Sequence, residues 1–524
     1  MSEVASATAS QPMPFCTPGN DSPETWGYQG GPSGADGART QLDAGKISGP
    51  VGPFPLPDNG GSNDATRIDG SAQNSGERTT KQTTDGKTVA VDPFQRDGDV
   101  TIERERTLVD MQGQQYVSDD QLVFTTGSAD DDVQVTNNDD GTLGVSINGQ
   151  SYDVEMADGQ QLTFRTGDGN DAITVASDVK VNVVIDSGDG DDTIQTGAGD
   201  ATIFAGDGDD TINTGSGNNY VEAGNGDDVV NGGSGYNVIY GGDGNDQLNG
   251  GDGGNYISGG KGADQIVGGT GEDILSGGRG DDRIQSNGTS HVYAGSGDDV
   301  ISGSSLDTIY AEKADDVSGA DGAKVVNVVI DPSLGTKGVS VEGTEGFQQR
   351  VNADLDMLRS SPYGQQMLAE FDKAAENGNT LTIRELQNES NGYTMPKEGG
   401  NNWADTQLNN GRAGRGDDAV IAYNTSFRIP EFPVPVGVLY HEMSHAYNAV
   451  TGTFQPGTYY GDDAKDSGNV PNSERQAVGL DNSGQPYDFD HDSSTPPTTH
   501  NPFPLTENGL REEMGLDPRL HYTL

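Results

Sequence analysis

From Ser187 onward the chain repeats itself every nine residues, and this period restricts the possible folds more than any other feature. Ser187-Gly-Asp-Gly-Asp-Asp-Thr-Ile-Gln195 is followed by Thr196-Gly-Ala-Gly-Asp-Ala-Thr-Ile-Phe204 and Ala205-Gly-Asp-Gly-Asp-Asp-Thr-Ile-Asn213. Eleven copies run without a gap to Gln285. An eight-residue copy (286–293) and the nonamer 294–302 extend the series, and an isolated copy spans 166–174. Position 8 is always a branched aliphatic, from Ile194 and Ile203 to Leu275 and Ile284. Glycines at positions 2 and 4 permit a tight turn, and positions 7 to 9 make a short strand with its central side chain inward. Two nonamers then complete one coil of a flattened roll, with successive coils roughly 4.8 Å apart, the spacing of paired strands.

In such a roll, odd copies turn at one edge and even copies at the other. At position 6 the odd copies carry Asp192, Asp210, Asp228, Asp246, Asp264 and Asp282, and Asp299 joins them if the short copy counts as one turn. The even copies carry Ala201, Asn219, Asn237, Asn255 and Asp273. Stacked carboxylates repel one another unless a cation lies between them, and hard oxygen ligands of this kind suit calcium. A calcium ladder is therefore expected along the odd edge, and along the even edge a largely metal-free asparagine ladder held by stacked amides. The pattern G-G-x-G-x-D-x-U-x resembles the RTX (haemolysin-type) calcium-binding repeat. That resemblance implies several structural calcium ions and a roll that folds when calcium is present.

Composition supports a chain ordered by cations. With 29 Lys+Arg against 83 Asp+Glu, the formal net charge is −54. That balance disfavours nucleic acid and anionic membranes, whose phosphates demand clustered Lys and Arg. Cys16 is the single cysteine, so an intrachain disulfide is excluded, and no apolar run is long enough to span a membrane. Met1–Ser6 lacks the basic start and apolar stretch of a Sec signal peptide.

The sequence reads as a multidomain chain. Residues 1–100, rich in Gly, Ser and Pro, are expected to be disordered, with a non-classical export signal and a plain tail as equal readings. Residues 101–186 alternate as strands (Val133-Gln-Val-Thr136, Val145-Ser-Ile147) and should cap the solenoid, a parallel β-roll over 187–320. A final strand, Val325–Ile330, and a linker fill 321–340. Residues 341–524 should form a compact α+β domain. Phe347, Val351, Leu355 and Leu358 share one helix face, and Ser361-Pro362 opens a second helix.

Within that domain Tyr440-His-Glu-Met-Ser-His-Ala-Tyr-Asn448 contains H-E-x-x-H. On a helix, residues four apart share a face, so His441 and His445 can reach one zinc ion while Glu442 serves as general base. Metzincins would place a third His at 451, which is Thr451. Glu474, at the start of a helix expected over Pro471–Gly479, is the preferred third ligand, with Asp488, His491 and His500 as rivals.

The run at 440–448, with Ser473-Glu-Arg-Gln-Ala-Val-Gly479 and Thr506-Glu-Asn-Gly-Leu-Arg511, resembles the M91 family of zinc metallopeptidases, which includes NleD-like injected effectors of bacteria. The resemblance implies a zincin-like fold, one catalytic zinc on His441, His445 and Glu474, and Glu442 as base. More distantly, the set is similar to clostridial neurotoxin light chains, in which an Arg-x-x-Tyr pair stabilises the oxyanion. Arg519 and Tyr522 fit that spacing, Arg511 competes with Arg519, and both residues could instead anchor the C-terminus. The function expected is a secreted or cell-delivered zinc endopeptidase on a calcium roll, acting on a protein substrate, host-cell proteins included. The alternative is a non-catalytic extracellular calcium-binding adhesion protein. The roll is also readable as an export device, unfolded in low calcium.

Overall fold

The computed structural model describes residues 26–28, 65–71, 78–83, 87–111, 114–386, 392–396, 406–426, 434–489 and 494–522. The disorder expected for 1–100 falls for the most part outside these residues. Its last third does not behave as expected: Thr66–Asp69, Thr79–Gln82 and Thr88–Asp97 are strands of the cap. The physical reason is pairing. Val89, Ala90 and Val91 are buried between neighbours, because the antiparallel partner Val100–Met111 supplies what local composition lacks.

Two facing sheets, of fourteen and thirteen strands among the described residues, make the roll and its cap. In one sheet Ile194, Ile212, Val230, Leu248, Ile266, Ile284 and Ile301 stand in parallel register. In the other, Ile203, Val221, Ile239, Ile257, Leu275, Val292 and Ile309 do the same. All point inward, at 0–1% exposure, and close one dry seam. The short copy does count as one turn, since Leu275 pairs with Val292 and Ile284 with Ile301. Parallel pairing starts earlier than the uninterrupted repeats, at Gln161–Arg165 and Ala172–Val175. At the N-terminal end long antiparallel hairpins cover the roll, with Thr66–Asp69 and Thr79–Gln82 as the outermost described strands of the two sheets. The last roll strand is Lys324–Asn327, shorter than the expected 325–330.

Among the described residues, the C-terminal domain has a five-stranded sheet and five α-helices. Strands Val339–Glu342, Leu381–Glu385 and Ala419–Tyr423 run parallel; Gly392–Pro396 joins antiparallel, and Trp26–Tyr28 adds antiparallel to it. Helices α1 (Glu345–Ser360) and α2 (Pro362–Glu376) meet at Ser361, which caps α2 by accepting from Gly364 N at 2.8 Å. Helix α3 (Pro435–Thr451) is buried from Pro435 to Val450 and ends at the left-handed Gly452 (φ 73°). Helices α4 (Asn472–Val478) and α5 (Glu507–Glu513) flank it.

Because Ile257 is fully buried in the seam between the two sheets, Ile257→Ala should cost roughly 2–5 kcal/mol. Denaturant unfolding of the calcium-saturated chain measures it.

Candidate functional site

Helix α3 presents His441 and His445 on one face, with ring centroids 4.9 Å apart. Helix α4 brings Glu474 to meet them: its Oε2 lies 3.0 Å from His445 Nε2 and 3.5 Å from His441 Nε2. The three ligand atoms lie within 4.8 Å of one another, the only such group of His, Cys, Asp and Glu among the described residues. All three side chains are buried. Burial alone would raise the Glu474 carboxyl, but the two imidazoles hold it well below the usual carboxylate range. For His441, burial would lower the imidazole, yet hydrogen bonds to Glu474 and Glu507 push it up to about 10. An ionised carboxylate and two imidazole nitrogens crowded on one buried point fit a divalent cation of borderline softness, which would take the place of those protons.

Glu442 lies on the same helix, fully buried, and burial raises its carboxyl. The Thr394 hydroxyl, 2.8 Å from Glu442 Oε2 on strand Gly392–Pro396, holds one oxygen, whereas Oε1 has no hydrogen-bond partner. Behind His441, Glu507 Oε2 accepts at 2.9 Å from Nδ1, which leaves Nε2 facing Glu474. Glu507 is placed there because Tyr440 donates to Pro504 O (2.5 Å) and Ser444 to Leu505 O (2.8 Å), fixing the turn before α5.

Arg519 and Tyr522 also reach this centre. Arg519 Nη1 donates to Glu507 Oε2 at 3.0 Å, and the Tyr522 ring lies 6.3 Å from the His441 ring. Arg511 approaches Glu507 from the other side, Nη1 to Oε1 3.6 Å. The C-terminal segment is anchored as well, through Tyr522 N to Asp466 Oδ2 (2.8 Å) and His521 to Asp463 (2.7 Å). Of the rival ligands, His500 turns to Asn501 O (2.7 Å), Asp488 is outside the cluster, and His491 lies outside the described residues.

The odd edge of the roll is a second centre. Each carboxylate there accepts at Oδ1 from the backbone N–H of the preceding rung, as Asp192 to Asp210, Asp228 to Asp246 and Asp282 to Asp299 do at 2.8–2.9 Å. Asp264 continues the series. Every rung leaves Oδ2 buried without a hydrogen-bond partner. The ladder begins one turn before the uninterrupted repeats, at Asp171, whose Oδ2 is equally bare. It stops at Asp131, where Thr126 and Asn148 cover both oxygens. Odd-edge glycines at positions 2 and 4, such as Gly224 (φ 119°) and Gly226 (φ 139°), are left-handed. Even-edge glycines at position 4 are not. There the side-chain amides pair: Asn219 donates to Asn237 (2.9 Å) and Asn255 to Asp273 (3.1 Å). Asp273 alone on that stack keeps a bare Oδ2.

Residues 335–522 match the Peptidase_M91 family model, described as effector protein. Residues 186–221, 222–257, 249–284 and 286–318 match the model of the RTX calcium-binding nonapeptide repeat. No curated protein and no solved structure matches the chain. The chain thus carries calcium-binding RTX repeats followed by an effector domain of a peptidase family. No described helix is long and apolar enough to cross a membrane.

Three contributors escaped the sequence reading. Thr394 lies 48 residues from Glu442 and carries no local signal. Glu507 lies in Thr506-Glu-Asn-Gly-Leu-Arg511, where nothing local to the run marks it as a partner of His441. Asp171 was visible as position 6 of the isolated copy.

Burial without a counter-ion pushes Asp210, Asp246 and Asp282 up to about 8, and Asp228, Asp264 and Asp299 to about 7, from 3.8. The metal-free fold thus prefers the protonated acids, so its stability falls as pH rises from about 4 through 8. Calcium reverses the sign, because it binds the ionised form. Circular dichroism should show the calcium-free roll melting between these limits and the loaded roll holding at pH 8.

Proposed function

We propose that the C-terminal domain is a one-zinc endopeptidase and that the roll is its calcium-loaded support, in a protein that works outside the producing cell or after delivery. The observation that carries this reading is the convergence of His441, His445 and Glu474 beside an oxygen of Glu442 that nothing else engages. Zinc, when bound to these three residues, supplies Lewis-acid polarisation of the scissile carbonyl and the attacking water. Glu442 Oε1 takes the proton of that water and returns it to the leaving amine, while Thr394 keeps the other oxygen from rotating away. Glu507 holds the His441 tautomer. Tyr522 is the group assigned to the oxyanion, and Arg519 supports the site through Glu507. The substrate is a protein. An inactive adhesion module is disfavoured, since decay of the site would not preserve ligands, base and supporting groups together.

On the odd edge, calcium is assigned to the gaps between successive carboxylates from Asp171 to Asp299. The asparagine edge is assigned none, its amides being paired with one another.

Metal analysis of the full chain should find one zinc, lost in His441→Ala and Glu474→Ala. Glu442→Gln should keep the zinc and reduce turnover of an unfolded protein substrate to background. Zinc-free parent protein, or an active Glu442→Gln, would overturn the peptidase reading. In a calcium count, Asp171→Asn should lower the total and Asn237→Ala should not.

A further inference from the structure

The two sheets of the roll differ on their outer faces. Odd copies place polar groups outward at positions 7 and 9, such as Thr193, Gln195, Thr211, Asn213, Gln247 and Asn249. Even copies place apolar side chains there: Phe204, Tyr220, Tyr240, Tyr256, Ile274 and, as the last residue of the short copy, Tyr293. Tyr310 on the next strand continues the series. The tyrosines are 0–5% exposed and belong to the same apolar cluster as Phe347, Val351 and Leu355 of α1 and Met443 of the zinc helix. A solenoid standing alone would not leave a column of tyrosines on its outer wall.

Two hydrogen-bonded routes run from this wall to α3 and α5, the helices that carry His441, His445 and Glu507. In the first, the hydroxyls of Tyr240 and Tyr256 both donate to Asp354 Oδ1 at 3.0 Å. Asp354 pairs with Arg350 one turn away (2.5 Å), and the Arg350 guanidinium lies 4.4 Å over the Tyr240 ring. Arg350 also donates to the Tyr423 hydroxyl at 3.2 Å, and that hydroxyl donates to Pro435 O at 3.0 Å, the first residue of α3. In the second, Tyr293 donates to the Glu513 carboxylate (3.3 Å) and Tyr310 to its backbone carbonyl (3.1 Å). Glu513 ends α5, the helix that opens with Glu507, the partner of His441. Arg279 of the roll adds a bidentate pair to Asp356 of α1 at 2.7 and 2.9 Å.

We propose that the even-copy tyrosine face is a wall of the peptidase domain, so that calcium loading of the roll sets the zinc affinity of the His441–His445–Glu474 site. The positioning residues are Arg350, Asp354 and Glu513. Arg350 and Asp354 are buried and satisfied in part by tyrosine hydroxyls that exist in place only when the coils are stacked. Without the roll, that pair loses its partners, α1 exposes its apolar face, and both α3 and α5 lose a support. The peptidase is therefore latent where calcium is scarce and assembled where it approaches roughly millimolar levels, the range of weak extracellular sites. This inference rests on the zinc and calcium readings above.

The test uses the full chain, dialysed free of calcium or held in millimolar calcium. Hydrogen exchange of 435–451 and 507–513 is followed beside that of the repeats, and zinc affinity is measured by competition with a chromophoric chelator. Removing calcium should strip protection from α3 and α5 together with the repeats, and weaken zinc binding by about tenfold or more. The pair Tyr240→Phe/Tyr256→Phe should load calcium at the parent's midpoint and still bind zinc more weakly. Full protection of α3 and unchanged zinc affinity beside freely exchanging repeats would overturn the proposal, as would parental zinc affinity in the tyrosine variant. Absence of zinc at every calcium level, with α3 protection still following calcium, would sink the zinc reading and keep the coupling.

Discussion

Buried carboxylate oxygens stacked along one edge of the roll govern the rest of the molecule. From Asp171 to Asp299 each rung uses one oxygen to accept from the backbone N–H of its neighbour and keeps the other bare. The first oxygen locks the register of the coils; the second stores an unmet charge demand. A seam of aliphatic residues from both sheets stabilises the roll but does not outweigh several desolvated charges without a cation. The ends of the stack make the same point, since Asp131, covered by Thr126 and Asn148, makes no such demand.

The coils also share an apolar cluster with α3, the helix that carries His441 and His445. Stacked coils align Tyr240 with its neighbours, ring against ring at 5.5–6.1 Å, and this column receives α1. Helix α3 is buried on all sides, so its two histidines are placed by what surrounds them: α4 in front with Glu474, α5 behind with Glu507, and strand Gly392–Pro396 beside Glu442. Each contact comes from a different stretch of chain, and each restrains one degree of freedom of one ligand or base.

Much of this was legible in the sequence because its signals are local and periodic. The nonapeptide predicted the inward aliphatics, the parity of the two edges and the place of Asp299. H-E-x-x-H predicted a helix with both histidines on one face, and the acidic residue at the start of α4 was singled out as Glu474. Illegible were features that depend on pairing at a distance. The strands at 66–97 look like disorder in the sequence, since their burial comes from partners rather than from their own apolar content. Thr394 and Glu507 act through single hydrogen bonds across the fold, and one polar residue in a strand or helix start announces nothing.

The chain by itself determined that a glycine-rich, acidic repeat must turn every nine residues, bury one aliphatic per turn and gather aspartates on one edge. Those are consequences of backbone sterics and of side-chain alternation, which act within a few residues. Which outer face would be covered, and by what, was decided only in three dimensions. The aromatics of the even copies lie 16 to 37 residues apart in the chain, and they become one surface only after the coils stack. The tie between that surface and helix α3 runs through Arg350, Asp354 and Tyr423, residues buried together because desolvated charges and hydroxyls must find partners where the fold leaves them.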